Sequence, residues 1–334
     1  MKAMVLAAGL GLRMRPLTLL RAKPVLPVLD RPLIAFTLER LARAGVREAV
    51  VNLHHLPETV RAALGSGRRF GLRILYVHEP EILGTGGGPR AVRECLGRGE
   101  VLLVNGDMYF DFDLRELVAR HRRSGAAATL ALRRHPEPGA YSTVVSDRRG
   151  RILSIAGKPA PAEGTLSMFA GIHVIDPRLL ERLPAGVSDS VRDLYLPMLA
   201  EGGQLHGVRH AGAWYDFGRP SLYRDAQLRM LSGRGRGQLL VGRGARVAAA
   251  AARRSVIGAR SRVAAGARVV SSILWEDVVV EAGARVERAI VTAGGVVRRD
   301  ERAADVVVVP RGALGAAMGE AFEEHGDMAW VRIA

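Results

Sequence analysis

Past residue 236 this 334-residue chain gives up helical periodicity and begins to repeat in steps of six. Val241 and Val247 are one step apart, as are Ile257, Val263 and Val269, and Val280 and Val286. Gly-Ala-Arg turns fall between them. Aliphatic hexads with small residues at the turns are the mark of a parallel β-helix, in which each coil buries its apolar side chains on those of the next. The pattern therefore predicts such a coil over 236–310, with a sandwich of short strands as the alternative. The alanine run 248–252 breaks the step and predicts an irregular coil or a small loop. Residues 311–334 are too few for a domain and are expected to cap the coil or pack back on it.

The preceding 232 residues read differently. Strand-like apolar runs at 4–8, 49–53, 73–77 and 101–104 alternate with helical segments at 32–44, 57–64 and 89–96, each opening on a proline. Alternation of this kind predicts an α/β domain, a mostly parallel sheet covered by helices. The expected organisation is thus 1–232, 236–310 and a tail, 311–334. In open α/β sheets ligands sit beyond the carboxyl ends of the strands, so the loops after the strands carry the chemistry.

The first such loop follows Leu6, Ala7 and Ala8. Gly9 and Gly11 break the strand and can expose consecutive N–H groups to an anion. Arg13 comes at once and Lys23 ten residues later, just before Pro24. No Gly-Lys-Ser/Thr follows, so this is not a Walker loop. Of 49 basic residues only Lys2, Lys23 and Lys158 are lysine. A chain so biased to arginine keeps lysine where a compact ammonium is needed, and Lys23 and Lys158 each precede a proline. Strand, glycine turn, arginine and lysine together predict a polyphosphate site.

Asp107 follows the fourth strand in Val-Asn-Gly-Asp, and Asp216 ends a short aromatic strand in Ala-Trp-Tyr-Asp-Phe-Gly. Two carboxylates from separate strands suit Mg²⁺, which keeps its waters and takes phosphate oxygens as further ligands. Asp111 and Asp113 fit the start of the next helix better. Glu79 and the glycine-rich stretch 83–88, with Gly84, Thr85 and Gly86, form a third group: glycines let a flat base or ribose lie on the backbone. A Glu79 carboxylate within reach of the base would match the adjacent N–H donors of guanine, which favours GTP.

The net charge is +16, yet the arginines are scattered and no basic–aromatic stripe suggests nucleic-acid binding. One cysteine, Cys95, suits a reducing compartment. No signal-peptide pattern and no long apolar run are visible, so a cytoplasmic protein without a membrane span is expected. None of the nine histidines falls between 236 and 310, which argues against an acyltransferase-type base in the coil. That region is expected to serve homo-oligomerisation or regulation.

Residues 1 to about 232 resemble the sugar-1-phosphate nucleotidyltransferases, and in wording the bacterial mannose-1-phosphate guanylyltransferases most. The stretch 84–88 also resembles the N-acetylmuramate-1-phosphate uridylyltransferase branch. The resemblance implies a Rossmann-like nucleotidyltransferase domain followed by a left-handed β-helix. It implies that 6–13 and Lys23 hold the nucleoside triphosphate and that Asp107 and Asp216 bind Mg²⁺. It also implies that Lys158 grips the sugar phosphate while Gly171 lets the sugar approach the backbone. Leu12, Gly157 and Phe169 depart from the pattern, standing where serine or threonine, glutamate and asparagine are usual. The expected reaction is nucleotidyl transfer from GTP to mannose-1-phosphate; uridylyl transfer to another sugar phosphate is one alternative. A cytidylyltransferase of the phosphocholine type and a non-catalytic sugar-nucleotide-binding regulatory subunit are the others.

Overall fold

A computed structural model describes residues 1–134, 141–160, 163–232, 238–314 and 322–333. It divides into two compact units, Met1–Gly9 with Ile34–Trp214, and Leu10–Leu33 with Tyr215–Ala334.

The first unit is built on a nine-stranded sheet. Four strands lie parallel, in the order Arg73–His78, Glu48–Leu53, Lys2–Leu6 and Val101–Asn105. Each is a run of β-branched and aliphatic residues, and Met4, Val50 and Leu103 sit in a core shared with helices on the faces. Beyond them the sheet is mixed. The long strand Thr165–Ile175 runs antiparallel to Val101–Asn105, Ala128–Arg133 and Thr143–Ser146. The first strand has neighbours reached in opposite directions, so its carboxyl end is the switch point where an open sheet leaves a crevice. Leu6 ends that strand, and the glycines follow.

Two helices match their sequence expectation, Leu33–Arg43 and Pro57–Leu64. The third does not. A helix spans Gly84–Ala91, with Pro89 inside it rather than at its start, and a short one follows at Arg93–Leu96. Glycine is among the poorest helix formers, so the stretch reads as a loop. Packing overrides propensity here. A Cβ on Gly87 would lie 2.1 Å from the Gly186 carbonyl oxygen, and one on Gly86 2.8 Å from Ser188 Oγ. The glycines bring a helix backbone against another segment, as no larger residue could.

In the second unit the helix Pro220–Ser232 precedes a coil of three parallel sheets. Partners lie seventeen residues apart, as in Ile257 with Leu274 and Leu274 with Val291. Ile257, Val263 and Val269 stack on Leu274, Val280 and Val286, then on Val291, Val297 and Ala303, all essentially buried. The alanine run forms a plain corner without a loop. It is one residue short: Val247 to Ala252 is five steps where Val263 to Val269 is six. Corners elsewhere hold non-glycine residues at positive φ, among them Arg260, Asp277, Arg288 and Asp305. Arg260 pairs with Asp277 at 2.6 Å and Arg288 pairs with Asp305, each one coil on. Buried Ser255 and Ser272 accept the N–H groups of Ser272 and Ala289, so the corners are satisfied internally.

The tail does pack back. Phe322–His325 and Met328–Arg332 form an antiparallel hairpin, whose second strand pairs antiparallel with Val306–Pro310. Among the described residues no helix is long and apolar enough to cross a membrane.

Candidate active site

In the first unit, side chains at the carboxyl ends of three adjacent strands are linked by hydrogen bonds. The Ala7 N–H donates to Asn52 Oδ1 at 2.8 Å, and Asn52 Nδ2 donates to Glu79 Oε1 at 2.8 Å. Glu79 Oε2 accepts the Leu83 N–H at 3.1 Å, one residue before the glycine helix. Asn52 and Glu79 are 2% and 3% exposed. Glu79 therefore stands beneath the loop and ties it to the helix, with both oxygens already engaged. Asn52 was not singled out from sequence. Its signal is a lone amide at the end of an otherwise apolar strand.

The glycine helix is fastened at its other side too. The Thr85 hydroxyl donates to Asp189 Oδ2 at 2.8 Å and accepts the Ser190 N–H at 2.9 Å. The Gly86 N–H donates to the Ser188 carbonyl at 2.9 Å. A Cβ on Gly88 would lie 2.8 Å from Glu79 Oε1.

Asp107 sits on the turn between Val101–Asn105 and Met108–Phe110. That turn is drawn against the first strand, because the Gly106 N–H donates to the Leu6 carbonyl at 2.8 Å. Asp107 is thus presented at the same strand end as Leu6, Ala7, Ala8 and Gly9. Asp113 caps the helix Leu114–Ser124, accepting the Arg115 N–H, and Asp111 pairs with Arg40 at 3.1 Å.

Of the two residues expected at the sugar phosphate, Gly171 has φ 74°, and a Cβ there would lie 2.7 Å from Asn105 Nδ2. Its lack of a side chain makes room for Asn105. Lys158 is exposed and closes a tight hairpin turn, exchanging N–H and carbonyl bonds with Ile155 at 3.0 Å. The two central residues, Ala156 and Gly157, both have positive φ, a conformation that suits glycine at 157. Phe169 packs edge-on against His173, which bonds the Tyr195 hydroxyl. Complete burial pushes the His173 imidazole down to about 3, so it stays neutral.

In the second unit Gly11 has φ 63°, with Thr18 donating to its carbonyl at 2.9 Å. A Cβ there would lie 2.8 Å from Thr18 Cγ2 and 3.3 Å from Lys23 Cβ, so glycine is required. Arg13 is exposed on the short turn Leu12–Met14, and Leu12 is 53% exposed. Nothing in the structure explains leucine at that position. Lys23 is only 7% exposed, with its Nζ 3.8 Å from Asp216 Oδ1. A buried ammonium is tolerated beside a carboxylate. Among the described residues no cluster of three or more acidic, histidine or cysteine side chains forms a metal site. Asp107 lies in the first unit and Asp216 in the second.

The sequence matches a family model described as nucleotidyl transferase over residues 2–233, and one described as GlmU-like, C-terminal hexapeptide over 233–303. The chain belongs to the nucleotidyl transferase family, with a left-handed β-helix of the hexapeptide type behind it. It is 33% identical over 247 residues to a UTP–glucose-1-phosphate uridylyltransferase of Synechocystis sp., covering 70% of this chain and 64% of that protein. To a mannose-1-phosphate guanylyltransferase of Mycobacterium tuberculosis it is 32% identical over 288 residues, 83% of this chain and 80% of the other. A Dictyostelium discoideum mannose-1-phosphate guanylyltransferase catalytic subunit beta is 32% identical over 66% of this chain and 62% of its own. The match thus spans less than two thirds of the Synechocystis and Dictyostelium proteins. A solved Bacillus anthracis protein assigned as a glucose-1-phosphate thymidylyltransferase shares the fold, with TM-score 0.59 at 22% identity, over 68% of this chain and 93% of that one.

Proposed function

We propose that this protein is a sugar-1-phosphate nucleotidyltransferase that joins GTP and mannose-1-phosphate, with residues 1–232 as its catalytic domain. The observation that carries nucleotidyl transfer is Lys23, one of three lysines in an arginine-rich chain, buried to 7% exposure beside Asp216. An ammonium is kept in such a place to meet a larger anion when substrate arrives. Glu79, with both oxygens engaged, does not support the expected contact to guanine, so GTP and mannose-1-phosphate rest on the likeness to the guanylyltransferases.

In this reading a phosphate oxygen of the sugar-1-phosphate attacks the α-phosphorus in line. The bond from that phosphorus to the β-phosphate bridging oxygen breaks, and pyrophosphate leaves with its electron pair. The attacking oxygen is already ionised at neutral pH, so no general base is required. Catalysis is positioning and charge neutralisation. The backbone of 6–11 and Arg13 hold the triphosphate, Lys23 neutralises the α-phosphate, and Lys158 orients the sugar phosphate beside Gly171. Gly84, Thr85 and Gly86 border the nucleoside, shaped from beneath by Glu79. Asp107 and Asp216 would hold Mg²⁺, whose charge, when bound, offsets that of the reacting phosphates.

The Synechocystis relative favours a second reading, uridylyl transfer to another sugar-1-phosphate. A panel of the four nucleoside triphosphates against several sugar-1-phosphates, with pyrophosphate release measured, separates the two. Release with GTP and mannose-1-phosphate is expected; release with UTP alone favours the second. Silence throughout indicates a binding subunit. We further propose a cytoplasmic homo-oligomer, to be tested by light scattering over a range of concentrations.

A further inference from the structure

The segment that carries Arg13 and Lys23 belongs to the same compact unit as the β-helix, Leu10–Leu33 with Tyr215–Ala334. Several anchors hold it there. The Arg21 guanidinium lies over the Trp275 ring, 5.1 Å from its centroid, and pairs with the Glu276 carboxylate. The Tyr223 hydroxyl donates to the Pro27 carbonyl and accepts from Trp275 Nε1 at 3.1 Å. The Leu29 N–H donates to Gln227 Oε1 at 2.9 Å, and the Ala259 N–H donates to Asp30 Oδ1 at 3.1 Å. Trp275, Tyr223 and Gln227 are essentially buried.

These anchors bracket Lys23. Arg21 stands two residues before it and Pro27 four after, and the short turn Lys23–Val25 fills the space between. A lysine side chain is flexible, so the place of its ammonium depends on how firmly its backbone is held. Misplacing a charged group by about 1 Å costs on the order of 10²-fold in rate. Trp275 serves both ends of the bracket, with its face under Arg21 and its N–H to Tyr223. The ion pair is partly buried and the guanidinium covers the buried Trp275 ring, so both fix the backbone around Arg21 locally.

We propose that Trp275 and Glu276 of the β-helix, with Tyr223 of the preceding helix, are positioning residues for Lys23, so that the coil sets the geometry of the phosphate clamp. The proposal rests on the reading of Lys23 as the group at the α-phosphate.

The test uses the full chain with Arg21→Glu, Glu276→Arg, the double charge swap, Trp275→Phe and Lys23→Ala. Each single swap is expected to lower kcat about 10- to 100-fold, leaving the KM for the sugar-1-phosphate within about twofold. The double swap is expected to recover at least tenfold. Trp275→Phe keeps the ring under Arg21 and loses the N–H, so a smaller fall is expected; it stands in if a swap fails to fold. Hydrogen exchange adds a readout independent of activity. The Val25 and Leu26 amides donate to the carbonyls of Ala22 and Lys23, and should exchange at least tenfold faster in the single variants. Unchanged exchange at these amides, or a double swap no better than its worse parent, overturns the proposal. Near-normal turnover of Lys23→Ala would instead overturn the reading of Lys23. Loss of activity there, with single swaps that leave both kcat and exchange unchanged, removes only the positioning role.

Discussion

The amide of Asn52 and the carboxylate of Glu79 meet at 2.8 Å in the interior, and through them the first glycine loop and the glycine helix are parts of one hydrogen-bonded assembly. Both Glu79 oxygens accept. A glutamine there offers one carbonyl oxygen and one NH2 group, so either Asn52 or the Leu83 amide faces a donor. Glu79→Gln should lower unfolding stability by about 1–3 kcal/mol, the usual cost of a buried unsatisfied polar group. Urea denaturation measures it; a shift in midpoint within error would show that water satisfies the pair.

Lys23 and Asp107 carry the chemical part of the reading. Lys23→Ala and Asp107→Ala should each abolish pyrophosphate release with the fold intact by circular dichroism. The loss expected for an electrostatic clamp is on the order of 10²–10³ in rate at the least. Lys23→Arg should not rescue, because the ammonium lies in a buried position that a wider planar fork does not fit. An active arginine variant would mean that charge alone suffices there.

Gly87→Ala reverses the usual sign of a helix substitution. Alanine is favoured over glycine in a helix interior by about 1 kcal/mol. At Gly87, however, the new methyl would overlap the Gly186 carbonyl. Melting temperature should fall, whereas Gly99→Ala, with open space at its Cβ, should leave it nearly unchanged. A stabilised Gly87→Ala variant would show that the helix can shift away from that segment.

Acid should weaken the fold before the carboxylates protonate. Burial pushes His173 down to about 3, and burial also lowers His121, His206 and His210. Between the unfolded value near 6.5 and the folded one, the unfolded chain binds protons that the native state does not. Stability from His173 is therefore complete above about pH 6.5 and falls as pH drops toward 3, by up to about 1.4 kcal/mol per pH unit. Denaturation midpoints from pH 7.5 to 4.5 should show this slope, and His173→Gln should flatten it. An unchanged slope in that variant would place the acid sensitivity elsewhere.

The coil and the tight turn at Gly11 were legible in the sequence because their signals are local. An aliphatic residue every six positions states its own stacking, and Ile257, Val263 and Val269 all lie inside. Gly11 and Lys23 are close in both sequence and space. The glycine helix was not legible, since its cause is a carbonyl at Gly186, about a hundred residues away. Glu79 drew attention as a charge, while its burial depends on Asn52 and Leu83 from other elements. The attachment of Leu10–Leu33 to the coil rests on Trp275 and Tyr223, aromatic residues that a sequence presents as ordinary core. The left-handed corners were half legible: glycine marks some, but Arg260 and Asp277 hold the same backbone without any such mark.

The hairpin at the end of the coil covers the last strand of one of its sheets. A parallel stack ends in a row of open N–H and C=O groups on which a further repeat, or another chain, can grow. Here Met328–Arg332 runs against Val306–Pro310 in the opposite direction and uses that row up on one of the three sheets. The new outer strand, Phe322–His325, carries exposed Glu323 and Glu324, charges that discourage further pairing. On that sheet a further repeat cannot be added beyond Val306–Pro310 without displacing the hairpin.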